Sequence, residues 1–100
     1  MFVYNLTVYS PIMAKIPNHL VYNGFDDIPY VSKSILKNYY KISYIYTILL
    51  DNYSEKLDLL EYNFEKNNSK LCIGDVVCID YDETLTYFMI AYPITKVDII

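Results

Sequence analysis

The sequence predicts an α+β fold: one small domain over residues 1–100, with a mainly antiparallel sheet, two helices on one sheet face, and the order β-α-β-α-β-β. Three observations carry this. Apolar residues alternate with period two near the N-terminus and again over residues 40–50. Two other stretches show helical spacing behind capping residues, and Leu57 to Tyr92 reads as helix, polar stop, strand, acidic turn and strand. With 54% hydrophobic residues, 2 Gly and 4 Pro in 100 residues, the chain can close one core without staples.

Phe2 to Tyr9 forms the first strand, with Phe2, Tyr4, Leu6 and Val8 on one face and Val3, Asn5, Thr7 and Tyr9 on the other, and Pro11 ends it. Residues 10–24 hold two prolines with Asn18, His19, Asn23 and Gly24, which predicts an irregular connection with room for a short strand at His19 to Tyr22. Asp26 and Asp27 ahead of Ile28-Pro29 resemble a helix start, because Asp caps free amides and a first-turn proline lacks only a donor that has no partner there. Ile28, Val31 and Ile35 recur at helical spacing, so this helix is expected from Ile28 to Asn38.

Tyr40, Ile42, Tyr44, Tyr46, Ile48 and Leu50 then occupy alternate positions in the clearest strand of the chain. Ser54 is expected to cap a second helix whose Leu57, Leu60 and Phe64 face the core and which Asn67-Asn68 stops. A strand over Leu71 to Asp80, a turn at Tyr81 to Glu83, a strand over Thr84 to Tyr92 and a short last strand over Thr95 to Ile100 complete the order.

Twelve acidic against 8 basic residues give a net charge of -4, and every basic residue is Lys. Arg supplies bidentate phosphate and guanine contacts, and nucleic-acid binders carry a basic face, so direct nucleic-acid binding is not expected. A charge of -4 is also weak for a nucleic-acid mimic. The 13 Tyr, with no Gln or Trp, carry the imprint of an AT-rich genome. The start of the chain shows no basic region followed by a continuous apolar run, and no stretch approaches the roughly 18 apolar residues that span a bilayer, so a cytoplasmic location without membrane association is expected.

No constellation for catalysis emerges. His19 is the only histidine, and no nucleophile motif accompanies it. The sole His and the two Cys lack ligand spacing, so neither metal nor cofactor is expected. Along one regular strand Cys72 and Cys78 would share a face about 20 Å apart, beyond disulfide reach, and they are expected to be small buried hydrophobes in a reducing cytosol. The acidic group Asp80, Asp82 and Glu83 lacks the loop length and glycine of a calcium site and reads as an exposed hairpin turn. Gly74-Asp75 precedes a strand and is no phosphate loop; Gly relieves a bend and Asp satisfies nearby amides.

Tyrosine gives large contact area at low entropy cost, so the residues expected at a partner surface are Tyr39 and Tyr40 beside Lys37 and Lys41, with Tyr44, Tyr81, Asp80, Asp82 and Glu83. An open Tyr-lined sheet face would mark a protein partner or a homodimer interface.

Part of the chain, roughly residues 40–92, resembles the YodL-like domains of phages and mobile elements. Tyr44-Ile45-Tyr46-Thr47 resembles their Tyr-rich strand, Phe64-Glu65-Lys66-Asn67 their helix element, and Ser69 to Val77 their next strand opening, with Gly74 where the family carries Ser. The resemblance implies a binding or inhibitory protein with no shared enzymatic activity. The function expected is therefore a non-enzymatic phage, viral or mobile-element protein that binds and inhibits or modulates a host protein in the host cytoplasm, as anti-restriction and anti-CRISPR proteins do. The alternatives are a small enzyme or ligand-binding protein acting on a nucleotide through Lys41, Tyr44 or Asp75, which would need burial to shift their pKa values, and a homo-oligomeric structural protein.

Overall fold

The computed structural model describes residues 1–12, 21–23, 29–66, 70–91 and 93–100. Its elements run β1 (Phe2–Pro11), β2 (Val21–Asn23), β3 (Pro29–Val31), α1 (Lys33–Tyr39), β4 (Tyr40–Leu50), α2 (Lys56–Lys66), β5 (Val76–Tyr81), β6 (Thr84–Met89) and β7 (Thr95–Ile99). The strands form one sheet in the order β2-β3-β7-β6-β5-β1-β4, so the α+β class holds. Every pairing is antiparallel except β3 with β7, which run parallel.

β1 lies next to the β4 edge, between β4 and β5, and its alternation buries one side. Tyr4, Leu6 and Val8 are buried, and the register sets Leu6 opposite Ile79 and Val8 opposite Val77, which in turn faces Phe88. α2 lays Leu59 and Leu60 on this face, and Leu71, Ile90 and Ile94 close the cluster. Full burial of Leu60 alone contributes about 1.5–3 kcal/mol. The Tyr4 hydroxyl ties helix to sheet: it donates to the Ser54 carbonyl at 2.8 Å and accepts from the Ser54 amide at 2.9 Å.

The helices do not share a face. Ile35 and Leu36 of α1 pack with Val31, Tyr40, Val76, Met89 and Val97. Val76 lies opposite Tyr9 and Met89, one residue out of phase with Val77, so this second cluster lies on the other side of the sheet from α2.

The expected α1 start, α2 cap, β5 start and β4 register also shift. Helix α1 starts after Ser32, whose Oγ accepts from the Ser34 amide at 3.2 Å, because residues 29–31 are drawn into the sheet beside β7. The expected cap pair Asp26 and Asp27 lies outside the described residues, as do His19, Asn67, Asn68 and Tyr92. The Ser54 hydroxyl donates to the Glu55 carbonyl instead of capping α2, which opens with the Leu59 amide on that same carbonyl. The strand expected from Leu71 begins only at Val76, because a turn at Gly74 (φ 97°) intervenes.

The fourth shift is a β-bulge. Val8 pairs with Tyr44 and Tyr9 with Ile42, which leaves Ser43 as an extra residue in β4. Tyr44, Tyr46, Ile48 and Leu50 therefore share the α2 side, while Tyr40 and Ile42 turn to the other.

Candidate functional site

Two regions stand out: a buried polar node under the bulge, and the open side of the β1–β4 pair.

The node centres on Asp75, the buried charged residue among those described. Its Oδ2 accepts from the Cys72 amide at 2.9 Å, closing the Gly74 turn, and the Asp75 amide donates to the Cys72 carbonyl at 3.0 Å. Burial pushes the Asp75 carboxyl above its ordinary pKa, while the Cys72 amide and the Ser10 hydroxyl pull it down. Ser10 Oγ lies 2.8 Å from Ser43 Oγ, and Ser43 Oγ lies 3.2 Å from the Val8 carbonyl, to which it can donate. Tyr40 Oη donates to the Gly74 carbonyl at 3.3 Å, and burial, with the Asp75 charge, raises its pKa. Each polar group thus has a local structural task, joining the bulge in β4 to the turn before β5.

A second pair, buried Cys78 with half-buried Tyr87, does not favour a nucleophile. Cys78 and Tyr87 face each other across β5 and β6. Burial pushes the Cys78 thiol up, and Tyr87 is pushed up to about 12 by burial and by Cys78. A reactive cysteine needs its thiolate favoured; this one has it disfavoured. Both cysteines are free; Cys78 is buried as expected, but Cys72 is exposed, because it lies in the turn ahead of β5 and not in the strand.

The side of the β1–β4 pair away from α2 is different. Val3 pairs with Leu49 and Thr7 with Ile45, and between them Thr47 Oγ1 donates to Asn5 Oδ1 at 2.7 Å. Ile45 is 71% exposed, Leu49 56%, Val3 43%, and Leu85, which pairs with Asp80 on the same side, 57%. Apolar side chains thus stand open around one polar pair on a pleated surface, the composition of a protein-docking face. Periodicity alone did not single out this side, because the tyrosines drew attention to the opposite one. The signal available in sequence was Ile45 and Leu49 lying between the Tyr positions of an apolar strand.

The residues expected at a partner surface are scattered. Tyr40 is 7% exposed and belongs to the second cluster. Tyr39 is exposed at the end of α1, and Tyr44 is exposed on β4. Tyr81 stacks on Tyr4 at 4.6 Å and meets Tyr53 edge-on at 5.8 Å. Asp80 is half-buried opposite Asn5. Asp82 and Glu83 form the exposed two-residue hairpin turn with φ 51° and 63°. That turn lies at the end of the sheet near Phe2 and Leu50, whereas Tyr39 and Tyr40 lie at the Pro11 end, so no single site holds both groups. Lys41 and Tyr44 are exposed on β4 while Asp75 is buried, so the three do not share one environment.

A shallow cleft of 430 Å³ opens where β6 and β7 part, lined by Thr84, Thr86, Tyr87, Lys96 and Asp98 among others. Among the described residues there is no group of His, Cys, Asp and Glu placed to hold a metal ion, and no helix long and apolar enough to cross a membrane. No protein-family model matches the chain, and no curated protein or solved structure is significantly similar to it.

Proposed function

We propose that this chain is a non-enzymatic protein-binding module that docks a protein partner on the open β1–β4 face. The observation that supports the reading is the group Val3, Ile45, Leu49 and Leu85, exposed together on one side of the sheet around the Asn5–Thr47 hydrogen bond. Apolar groups left in water on a rigid surface lose hydration cost when a partner covers them. The narrower reading, a phage or mobile-element protein that inhibits a host restriction or CRISPR component, draws its support from the AT-rich composition and the YodL-like resemblance.

The test is affinity capture from a bacterial lysate with the intact chain and with the double variant Val3→Lys/Leu85→Lys, whose positions are already exposed. A stoichiometric protein retained by the first and lost by the second is expected. Absence of any stoichiometric partner, or equal capture by both, contradicts the reading. Restriction and CRISPR interference assays in cells expressing the chain test the narrower form.

A further inference from the structure

We propose that β4 is the seam of a homodimer, in which the β4 strands of two copies pair antiparallel about a two-fold axis near the middle of the strand. The two ends of the sheet are treated differently. One edge is β2, three residues long, and the other is β4, with eleven. Short edges are a protection against unwanted pairing, and so are lysines, prolines and bulges. β4 has its lysine and its bulge at one end only, at Lys41 and Ser43. From Tyr44 to Leu50 it runs without a charge, a proline or an irregularity, its outer backbone groups unpaired among the described residues. Main-chain pairing to such an edge supplies affinity directly.

The occupant follows from the charges. β4 is uncharged from Ile42 to Leu50, with Lys41 at one end and Asp51 just beyond the other, both exposed. Two identical strands in antiparallel register bring Lys41 of each copy to the Asp51 end of the other, so both ends become complementary. Parallel pairing would instead set like charges together. The central positions are self-compatible as well, because the register that sets Lys41 opposite Asp51 also sets Ile45 opposite β-branched Thr47 and Tyr46 opposite its own counterpart, the kind of cross-strand neighbours that stabilise sheets. Identical strands paired antiparallel form a closed two-fold assembly, and among the described residues the opposite edge, β2, offers only three residues for pairing.

This deepens the proposed function, because pairing through β4 would make the two open faces one continuous surface; the dimer itself does not depend on that reading. Analytical ultracentrifugation of the intact chain over a concentration series is expected to show a dimer. Lys41→Asp and Asp51→Lys each replace attraction by repulsion at both ends and are expected to weaken the dimer by about tenfold. An equimolar mixture of the two variants restores it, since each chain then carries the charges the other lacks. The face variant Val3→Lys/Leu85→Lys, on interior strands, is expected to leave the dimer intact even where it abolishes partner capture. A monomer at all concentrations, a dimer indifferent to both charge reversals, or a monomer that recruits the strand of another protein at β4 overturns the proposal.

Discussion

Replacing Tyr4 by Phe isolates a single hydroxyl that holds α2 to the sheet. Tyr4 is fully buried, and its ring stacks on Tyr81 at 4.6 Å with an interplanar angle of 19°, contacts that Phe retains. What Phe loses is the pair of hydrogen bonds to the Ser54 amide and carbonyl at 2.9 and 2.8 Å. Each group left without a partner when buried costs about 1–3 kcal/mol, and half-buried Ser54 regains part of that from water, so the net loss is about 2 kcal/mol. For a domain of this size that lowers Tm by roughly 8–16 °C. Urea and thermal unfolding followed by circular dichroism give the stability, and hydrogen exchange at the Ser54 amide reports the locality. Exchange there should accelerate beyond the global effect, because the amide that the hydroxyl protected is the one exposed. A stability change under about 0.5 kcal/mol, the range of an ordinary surface substitution, would refute the argument that this hydroxyl anchors the helix.

Three further outcomes follow from the same geometry. Replacing Asp82-Glu83 with Asn-Gly should stabilise the chain by about 1 kcal/mol and raise Tm in thermal unfolding, since both residues hold positive φ in a two-residue hairpin that favours this dipeptide. Asp75→Asn should flatten the pH dependence of stability measured by urea unfolding: because burial raises the folded carboxyl above 3.8, the unfolded chain releases its proton first, and the wild type loses stability relative to the variant as pH rises from 3.8 through the raised value. A thiol reagent applied to the native protein should modify exposed Cys72 and spare Cys78, which is 7% exposed, and peptide mass spectrometry would show both modified if β5 were open.

Where one pattern decided the local structure, it was legible in the sequence. The period-two run from Phe2 buried Tyr4, Leu6 and Val8 as expected, and Leu60 gave α2 its core contact. Where two signals competed, the longer-range one prevailed. Pro29 and Val31 fit a helix start, but Tyr30 and Val31 pair with Asp98 and Ile99 of β7, nearly seventy positions away, which makes residues 29–31 a strand, and no local rule reads that distance. The bulge hid for a similar reason: β4 alternates without fault in sequence, and only its partner β1 reveals that one residue is extra. The tyrosine surface dissolved because aromatic content marks contact area without saying which side of a sheet provides it. The open face was less visible still, since Ile45 and Leu49 look like core residues until the edge position of β4 is known.

The bulge then joins the two regions that otherwise look separate. Without Ser43 as an extra residue, Tyr40 would fall on the α2 side, and the second cluster would lose the ring whose hydroxyl reaches the Gly74 carbonyl. The serine pair at 2.8 Å, with the Val8 carbonyl and Asp75 as the neighbouring acceptors, holds the irregularity, its two hydroxyl protons shared among the three contacts. A buried acid is a cost that a purely apolar core would avoid. Here its carboxylate closes the turn ahead of β5 and sits beside Ser10, whose hydroxyl meets Ser43 at the bulge, so one group serves both irregularities. Past the bulge, β4 is free to run straight from Tyr44 to Leu50 as the outermost strand. The polar node is therefore best understood as the device that sets the edge and the open face in place, and the chemistry this chain offers to another molecule lies on that edge and face, not in the node.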